Sequence, residues 1–248
     1  MNFSASQPES PKLRVGTRGS ALALHQANLV RDRLRAAHPG LACELVPIVT
    51  QGDRDKTSSL TVIGGQGVFA KELQRAVLAG DIDCGVHSLK DVPSELPAGL
   101  RIGAVLARED PRDVLISRSG LLLDQLPSGA SVGTSSRRRM AQLRAVRPDI
   151  SAVELRGNID TRLRKALNDE DERYDAIILA AAGVTRMGWA ASITEYLDLD
   201  RFTPAPGQAA LAVDCRLGDQ RTQAMLDAIN DAGEANCVTV ERAFLGAI

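Results

Sequence analysis

Short apolar runs alternate with amphipathic stretches along most of this chain, and that alternation limits the fold more than any other feature. Residues 13–16 (LRVG) read as a strand. TRGS then turns, and ALALHQANLVRDRLRAA (21–37) has helical periodicity, with Ser20 as the N-cap and Pro39-Gly40 as the stop. Strand-like runs recur at 43–50, 82–89, 100–107, 113–117, 130–133, 151–157, 174–183 and 208–216, with helical patterns between most of them. Strands and helices in alternation predict α/β architecture with parallel strand pairing. The polar run REDPRD (108–113) reads as a linker, and the chain is expected to cross back near Pro204–Gly207. The predicted fold is therefore α/β: two lobes with mixed, mostly parallel sheets and a cleft between them, where ligands sit at the carboxyl ends of the strands. Lobe one takes residues 12–107 plus 207–231, lobe two takes 113–203, and residues 1–11 form a disordered, Ser- and Pro-rich lead-in. The stretch 51–67, with its four glycines and no periodicity, reads as a mobile loop.

Composition narrows the ligand. Aromatic residues make up 3% and net charge is -1, which argues against stacked single-stranded bases and against a broad basic field. Nucleic acid is therefore not an expected partner. No run reaches the roughly 18 apolar residues of a membrane span, and the N-terminus lacks an apolar signal core. The four cysteines are scattered without a CxxC pair, so reduced thiols and a cytoplasmic location are expected. With three histidines and none paired at ligand spacing, no metal site is expected. Basic residues are mostly arginine, 25 against 5 lysines, a bias that base composition alone could produce. Their placement carries more information.

Three strand-to-helix turns share one design: TRGS (17–20), GTSSRRR (133–139) and LRGNIDTR (155–162). Each puts hydroxyls, glycine or unpaired N–H groups at a helix N-terminus with arginine alongside. Backbone N–H groups and the helix dipole favour an anion there, and guanidinium adds charge-assisted pairing. One such turn reads equally well as a plain N-cap beside a solvated arginine; three at strand ends read as an anion site. In GTSSRRR, successive helical positions point about 100° apart, so the three arginines cannot all face one ligand. At least one of them is expected to face solvent. No GxxxxGK[ST] occurs, which excludes a P-loop. In HSLKDVP (87–93), Asp91 beside Lys90 reads as a general acid, as a cation-stabilising carboxylate, or as a surface ion pair capping a strand.

Taken together, TRGSALALHQA, GGQGVFAKEL, HSLKDVP, REDPRD, VGTSSRRR, LRGNIDTR, YDAIILAAAG and APGQAAL occur in an order and spacing that closely resemble hydroxymethylbilane synthase, also called porphobilinogen deaminase, from about Leu13 onward. The resemblance implies periplasmic-binding-protein-like lobes and a transferase of tetrapyrrole and heme biosynthesis. Such an enzyme joins four porphobilinogen units head to tail, releasing ammonia, around a dipyrromethane cofactor held by a cysteine thioether. It implies that Asp91 is catalytic, and that Lys90, Ser135, Arg138 and Arg139 contact the cofactor, so that Arg138 and Arg139 face inward and Arg137, where the family often has an apolar residue, faces outward. It implies that Arg18, Ser20, Thr134, Ser136, Arg156, Arg162, Arg186 and Gln208 grip substrate or chain carboxylates, that Gln26 approaches the site, and that Phe69 and Gln66 belong to a covering loop. Porphobilinogen is the implied partner, bound by a monomer. The family also has a third, small α+β domain, opened by a helix resembling VTVERAFLGAI and holding the cofactor cysteine in a glycine-rich turn. Residues 234–248 match only the start of that domain, and no cysteine of this chain sits in a GGC context, so a truncated third domain without the attachment thiol is expected. The apolar stripe Val238, Val240, Ala243 and Phe244 is then left to dock loosely or stand exposed. The alternative function is a non-catalytic anion- or tetrapyrrole-binding two-lobed module; solute-binding and sensor proteins share such clefts at the level of fold alone.

Overall fold

A computed structural model describes residues 12–50, 70–167 and 173–247. Phe69, Gln66 and the expected loop at 51–67 lie outside the described residues, as does the lead-in at 1–11. The chain begins with β1 (Lys12–Arg18), α1 (Ala21–Ala37) and β2 (Ala42–Ile48), with β1 and β2 parallel in register from Lys12↔Ala42 to Arg18↔Ile48. Ser20 caps α1 by accepting from the Ala23 N–H at 3.3 Å. The helix buries Gln26, Ala27, Val30 and Leu34, one face at helical spacing. Next come α2 (Lys71–Ala79), ended by Gly80 at φ 80°, then β3 (Cys84–Ser88) and β4 (Leu100–Val105). After the 108–113 crossing, the second sheet is built from β5 (Asp113–Ser117), β6 (Ser131–Gly133), α3 (Arg137–Val146), β7 (Ser151–Val153), α4 (Ile159–Leu167), β8 (Ala176–Ala180), α5 (Ala181–Arg186) and β9 (Glu195–Tyr196). The chain then returns as β10 (Leu211–Arg216), α6 (Gln220–Asp227) and α7 (Ala232–Ala247).

The sheet orders are β2-β1-β3-β10-β4 and β7-β6-β8-β5-β9. Each is mixed, but evenly so where the sequence suggested mostly parallel: β1 runs parallel to β2 and β3, and β6 to β7 and β8, while β10 and β5 are antiparallel to both of their neighbours. The reason is connectivity. β5 and β10 are the strands entered directly from a crossing between sheets, without the intervening helix that turns a chain back parallel. β7 is also shorter than the expected 151–157. The carbonyls of Glu154 and Leu155 leave the ladder to accept from the Tyr174 hydroxyl at 2.8 Å and the Ser135 hydroxyl at 2.5 Å, which frees the following turn to face the cleft.

One core, including Leu13, Val30, Leu34, Val86 and Val213, lies on the α1 side of the first sheet. Two others cover the opposite faces of the second sheet, around Leu115, Leu143 and Phe202 and around Val114, Leu155 and Ile177. α7 docks on the first sheet through Val238, 2% exposed, against Leu89, Val92 and Val105. Burying that valine contributes roughly 1.5–3 kcal/mol. The rest of its attachment is polar. Arg108 pairs with Glu234 at 2.8 Å and Glu241 at 2.6 Å, Gly207 N–H donates to Glu241, and Arg242 donates to the carbonyls of Val92, Pro93 and Ser94. The predicted stripe therefore splits: Val238 is buried, while Val240 and Phe244 are 70% and 64% exposed. The outer edge of β4 is occupied by side chains and turns: Gln223 donates to the Gly103 carbonyl, Asn230 accepts from Val105 N–H, and Asp231 N–H donates to the Val105 carbonyl.

Candidate functional site

The carboxyl ends of β1, β3 and β8 and the β7–α4 turn converge on a cavity of about 310 Å³ between the two sheets. The β1–α1 turn contributes Arg18, Ser20 and Gln26, the end of β3 contributes Ser88, Lys90 and Asp91, and the second lobe contributes Arg139, Arg162 and Arg186. A larger hollow of about 630 Å³ lies between β4, α6 and α7, but its Arg242 is spent on three backbone carbonyls. The smaller cavity gathers the chemistry: two carboxylates, Asp91 and Asp160, among five basic side chains, with Asp160 already 3.7 Å from Arg164.

β3 is buried from Cys84 to His87, and it leads into a 3₁₀ turn (Leu89–Asp91) anchored by Leu89, 2% exposed. That anchoring leaves Lys90 and Asp91 at the cavity wall. Among the described residues, no donor hydrogen-bonds to the Asp91 carboxylate, so the surface-ion-pair reading loses its partner. Lys90 Nζ donates to Gln208 Oε1 at 3.3 Å. Crowding by protein, with Arg139 adding to it, pushes its pKa down to about 8, although the side chain keeps contact with the cleft. Gln26 Nε2 donates to the Ser88 hydroxyl at 2.9 Å, tying α1 to the end of β3.

In the second lobe, Arg139 is 6% exposed. Its Nε and Nη2 donate to Asp113 Oδ1 at 3.0 and 2.7 Å, and Nη1 donates to the Ile178 carbonyl. Arg162 donates to the Gly157 carbonyl at 2.7 Å, and Arg186 to the Ala209 carbonyl at 2.7 Å. Burial lowers the pKa of both guanidiniums, helped for Arg162 by Arg139. Arg186 Nε is buried with no hydrogen-bond partner, a cationic donor left over at the cavity. Ala209, whose carbonyl Arg186 holds, takes φ 72°, an uncommon conformation for a residue with a Cβ.

The expected site residues thus separate. Arg18, Ser20, Lys90, Asp91, Arg139, Arg162 and Arg186 line the cavity. Thr134, Ser135, Ser136, Arg138, Arg156 and Gln208 do not. Thr134 is buried and accepts from Ser136 N–H, Ser135 is spent on Leu155, and Ser136 caps α3 by accepting from Arg139 N–H at 3.4 Å. Arg156 pairs with Glu154 at 2.7 Å. Arg137 is exposed, as expected, but Arg138 does not line the cavity beside Arg139. Its Nη2 lies 2.7 Å from Asp113 Oδ2, close enough for an ion pair although off the line of a hydrogen bond, and its Nη1 reaches the Thr203 carbonyl. Gln208 is buried behind the wall, with Nε2 donating to Asp113 Oδ1 at 2.9 Å and to the Pro111 carbonyl at 2.6 Å.

Two carboxylates escaped the sequence reading. Asp113, fully buried, looked like the end of a linker; its place directly before the all-apolar VLI was the available signal. Burial pushes its pKa up, but Arg139 and Arg138 outweigh that and hold it below the usual range. Asp214 is buried on β10 with Oδ2 3.0 Å from His87 Nε2, and its Oδ1 accepts from Gly85 N–H. A lone acid in an apolar strand gave no hint of that cross-strand partner.

Comparison with known proteins agrees with this geometry. Among solved structures, the chain is similar to the periplasmic VFT2 domain of Bordetella pertussis BvgS (TM-score 0.51, 13% identity, 95% of this chain and 93% of that one). It is also similar to full-length CbnR complexed with target DNA (TM-score 0.52, 15% identity, 92% and 68%). At such identities these show the two-lobed fold alone. Sequence relatives are far nearer. A porphobilinogen deaminase of Syntrophotalea carbinolica is 50% identical over 236 residues, covering 95% of this chain and 74% of that protein. One of Stenotrophomonas maltophilia is 51% identical over 231 residues, covering 93% and 75%. The family profile described as "Porphobilinogen deaminase, dipyromethane cofactor binding domain" matches residues 13–224. With a family match over most of its length and relatives half identical to it, the chain belongs to the porphobilinogen deaminase family.

Proposed function

We propose that this protein is a hydroxymethylbilane synthase, a transferase that condenses four porphobilinogen units into the linear tetrapyrrole hydroxymethylbilane with loss of ammonia at each addition. The observation that carries the reading is Asp91, a carboxylate with no donor among the described residues, in a cavity ringed by Arg18, Lys90, Arg139, Arg162 and Arg186. Each pyrrole bears an acetate and a propionate, so the basic ring matches the ligand's charge. When the aminomethyl C–N bond of porphobilinogen breaks, its electron pair leaves with the nitrogen and positive charge spreads into the pyrrole ring. Asp91 stabilises that charge by accepting from the pyrrole N–H, an interaction that strengthens as the charge develops.

The residues also fit a dipyrromethane group. Its carboxylates need convergent cationic donors, and the orphaned Nε of Arg186 is a donor of that kind left unsatisfied by the protein. Lys90 and Arg139 are placed to hold such carboxylates directly. Ser135 and Arg138 support them from behind the wall, with Thr134, Ser136 and Gln208 fixing the turn and the lysine, and Arg156 next in sequence to the cavity-lining Gly157. The group supplies the nucleophilic pyrrole carbon on which the chain is extended. None of the four cysteines lines the cavity: Cys43, Cys84 and Cys215 are buried, and Cys237 is exposed on α7. We therefore expect mass spectrometry to find no dipyrromethane adduct on residues 1–248; an adduct on any of these thiols would reverse that assignment. The protein acts in this reading as a cytoplasmic monomer on a small molecule, without nucleic acid or membrane; its net charge of -1 argues against a broad basic field for nucleic acid.

Calorimetric binding of porphobilinogen tests the reading directly. Heat of binding that disappears in Arg162→Leu supports it, and no binding by the folded protein refutes it. The pH profile adds a second check. Arginines stay charged throughout, but Lys90 loses its proton near pH 8, where an ordinary lysine would hold it beyond pH 10. Affinity for the substrate carboxylates should fall about five- to tenfold as pH rises from 7 to 9.5, and Lys90→Gln should flatten that fall.

A further inference from the structure

Asp113 holds Arg139 of the cavity wall by two hydrogen bonds, and it does so from a place where the chain passes between sheets. It begins β5 at the end of the first crossing, and Gln208 stands just past the second. Asp113 Oδ1 receives Nε and Nη2 of Arg139 and Nε2 of Gln208; Oδ2 faces Arg138. Gln208 in turn presents Oε1 to Lys90. One buried carboxylate therefore fixes a guanidinium from the second lobe and, through a single amide, an ammonium from the first.

The geometry of Arg139 makes this directional. Asp113 occupies the Nε–Nη2 edge and the Ile178 carbonyl takes one Nη1 hydrogen. A guanidinium has five N–H donors, so two remain, one on each terminal nitrogen, on the side away from Asp113. Without its counter-charge, Arg139 would be a nearly buried cation 6% exposed, beside a second one, with every reason to swing toward water. We propose that Asp113 is a positioning residue for carboxylate recognition: it aims the free donors of Arg139 into the cavity and, through Gln208, sets Lys90 on the opposite wall at matching reach. It touches no ligand itself. This assignment builds on the carboxylate-binding role proposed for the cleft.

Asp113→Glu tests it, because glutamate keeps the charge that the buried arginines need but moves it by one methylene. The expected result is a melting temperature within a few degrees of wild type and a Kd for porphobilinogen raised about tenfold by calorimetry. In an Arg139→Met background the same change should add less than twofold, since the residue it positions is gone. A wild-type Kd in Asp113→Glu, or a full tenfold loss persisting without Arg139, overturns the proposal. Should Asp113→Glu fail to fold, Gln208→Met cuts the link to Lys90 while leaving the Asp113–arginine contacts intact; a severalfold weaker Kd supports the assignment and an unchanged one overturns it. Running both titrations with succinate as well separates the two readings. If wild type ignores porphobilinogen but Asp113→Glu still weakens succinate binding, only the functional reading falls. If wild type binds both and the variants match it, only the role of Asp113 falls.

Discussion

With the chain extended by a third domain that carries the cofactor thioether, Asp91→Asn should cut the rate of porphobilinogen condensation on the order of 10²–10³-fold while leaving thermal stability unchanged. The two halves of that result have separate causes. Asp91 receives no hydrogen bond from a described residue and lines an open cavity, so the folded state loses no contact when its charge goes. The transition state loses more. As ammonia departs, the ring's positive charge must be met inside a site where the guanidiniums and ammonium of Arg18, Lys90, Arg139, Arg162 and Arg186 carry the same sign as the charge being formed, and where the other carboxylate, Asp160, is paired with Arg164. Substrate affinity should change little or improve, because removing a carboxylate relieves repulsion against the ligand's own carboxylates. A variant that retains more than a tenth of wild-type turnover would remove Asp91 from the chemistry.

Gly207→Ala should be strongly destabilising for a change of a single methyl. Gly207 sits at φ 71°, and a Cβ there would lie 2.8 Å from both Cγ and Cδ2 of Leu89. Left-handed backbone costs a residue with a Cβ roughly 1 kcal/mol or more, and forcing a methyl against a packed leucine adds about 1–3 kcal/mol. The expected total is about 2–4 kcal/mol, a melting temperature lower by roughly 5–15 °C for a chain of this size. The damage should also reach function, because Leu89 anchors the turn that carries Lys90 and Asp91. Gly19→Ala is the control: a Cβ there meets nothing within 4 Å. Equal melting temperatures for the two variants would refute the steric argument.

Much of this arrangement was legible in the sequence, and the reasons differ by element. Ser20 and the three arginine-bearing turns announce themselves because capping and anion recognition are local chemistry, decided within a few residues. The even mixture of parallel and antiparallel pairing was not legible, because it depends on which strands are entered from a crossing, a property of the whole path. Arg138 and Arg139 show the same limit at finer grain. Helical spacing shows that the three arginines cannot share one direction, but it cannot show that a distant aspartate, Asp113, draws Arg138 out of the cavity wall. Gln208 likewise reads as a ligand contact from its motif and proves to be the strut behind Lys90. What sequence patterns miss here is long-range pairing of buried polar groups, where both partners are ordinary until they meet.

The covering of β4 has a consequence for how copies of this protein meet each other. An edge strand ordinarily offers alternating donors and acceptors to any extended chain that approaches, the first step of sheet-to-sheet aggregation. Here those groups at Gly103 and Val105 are already spent on Gln223, Asn230 and Asp231. A neighbouring molecule finds that end of the edge already engaged, so crowding in a cell should not readily zip two such sheets together there.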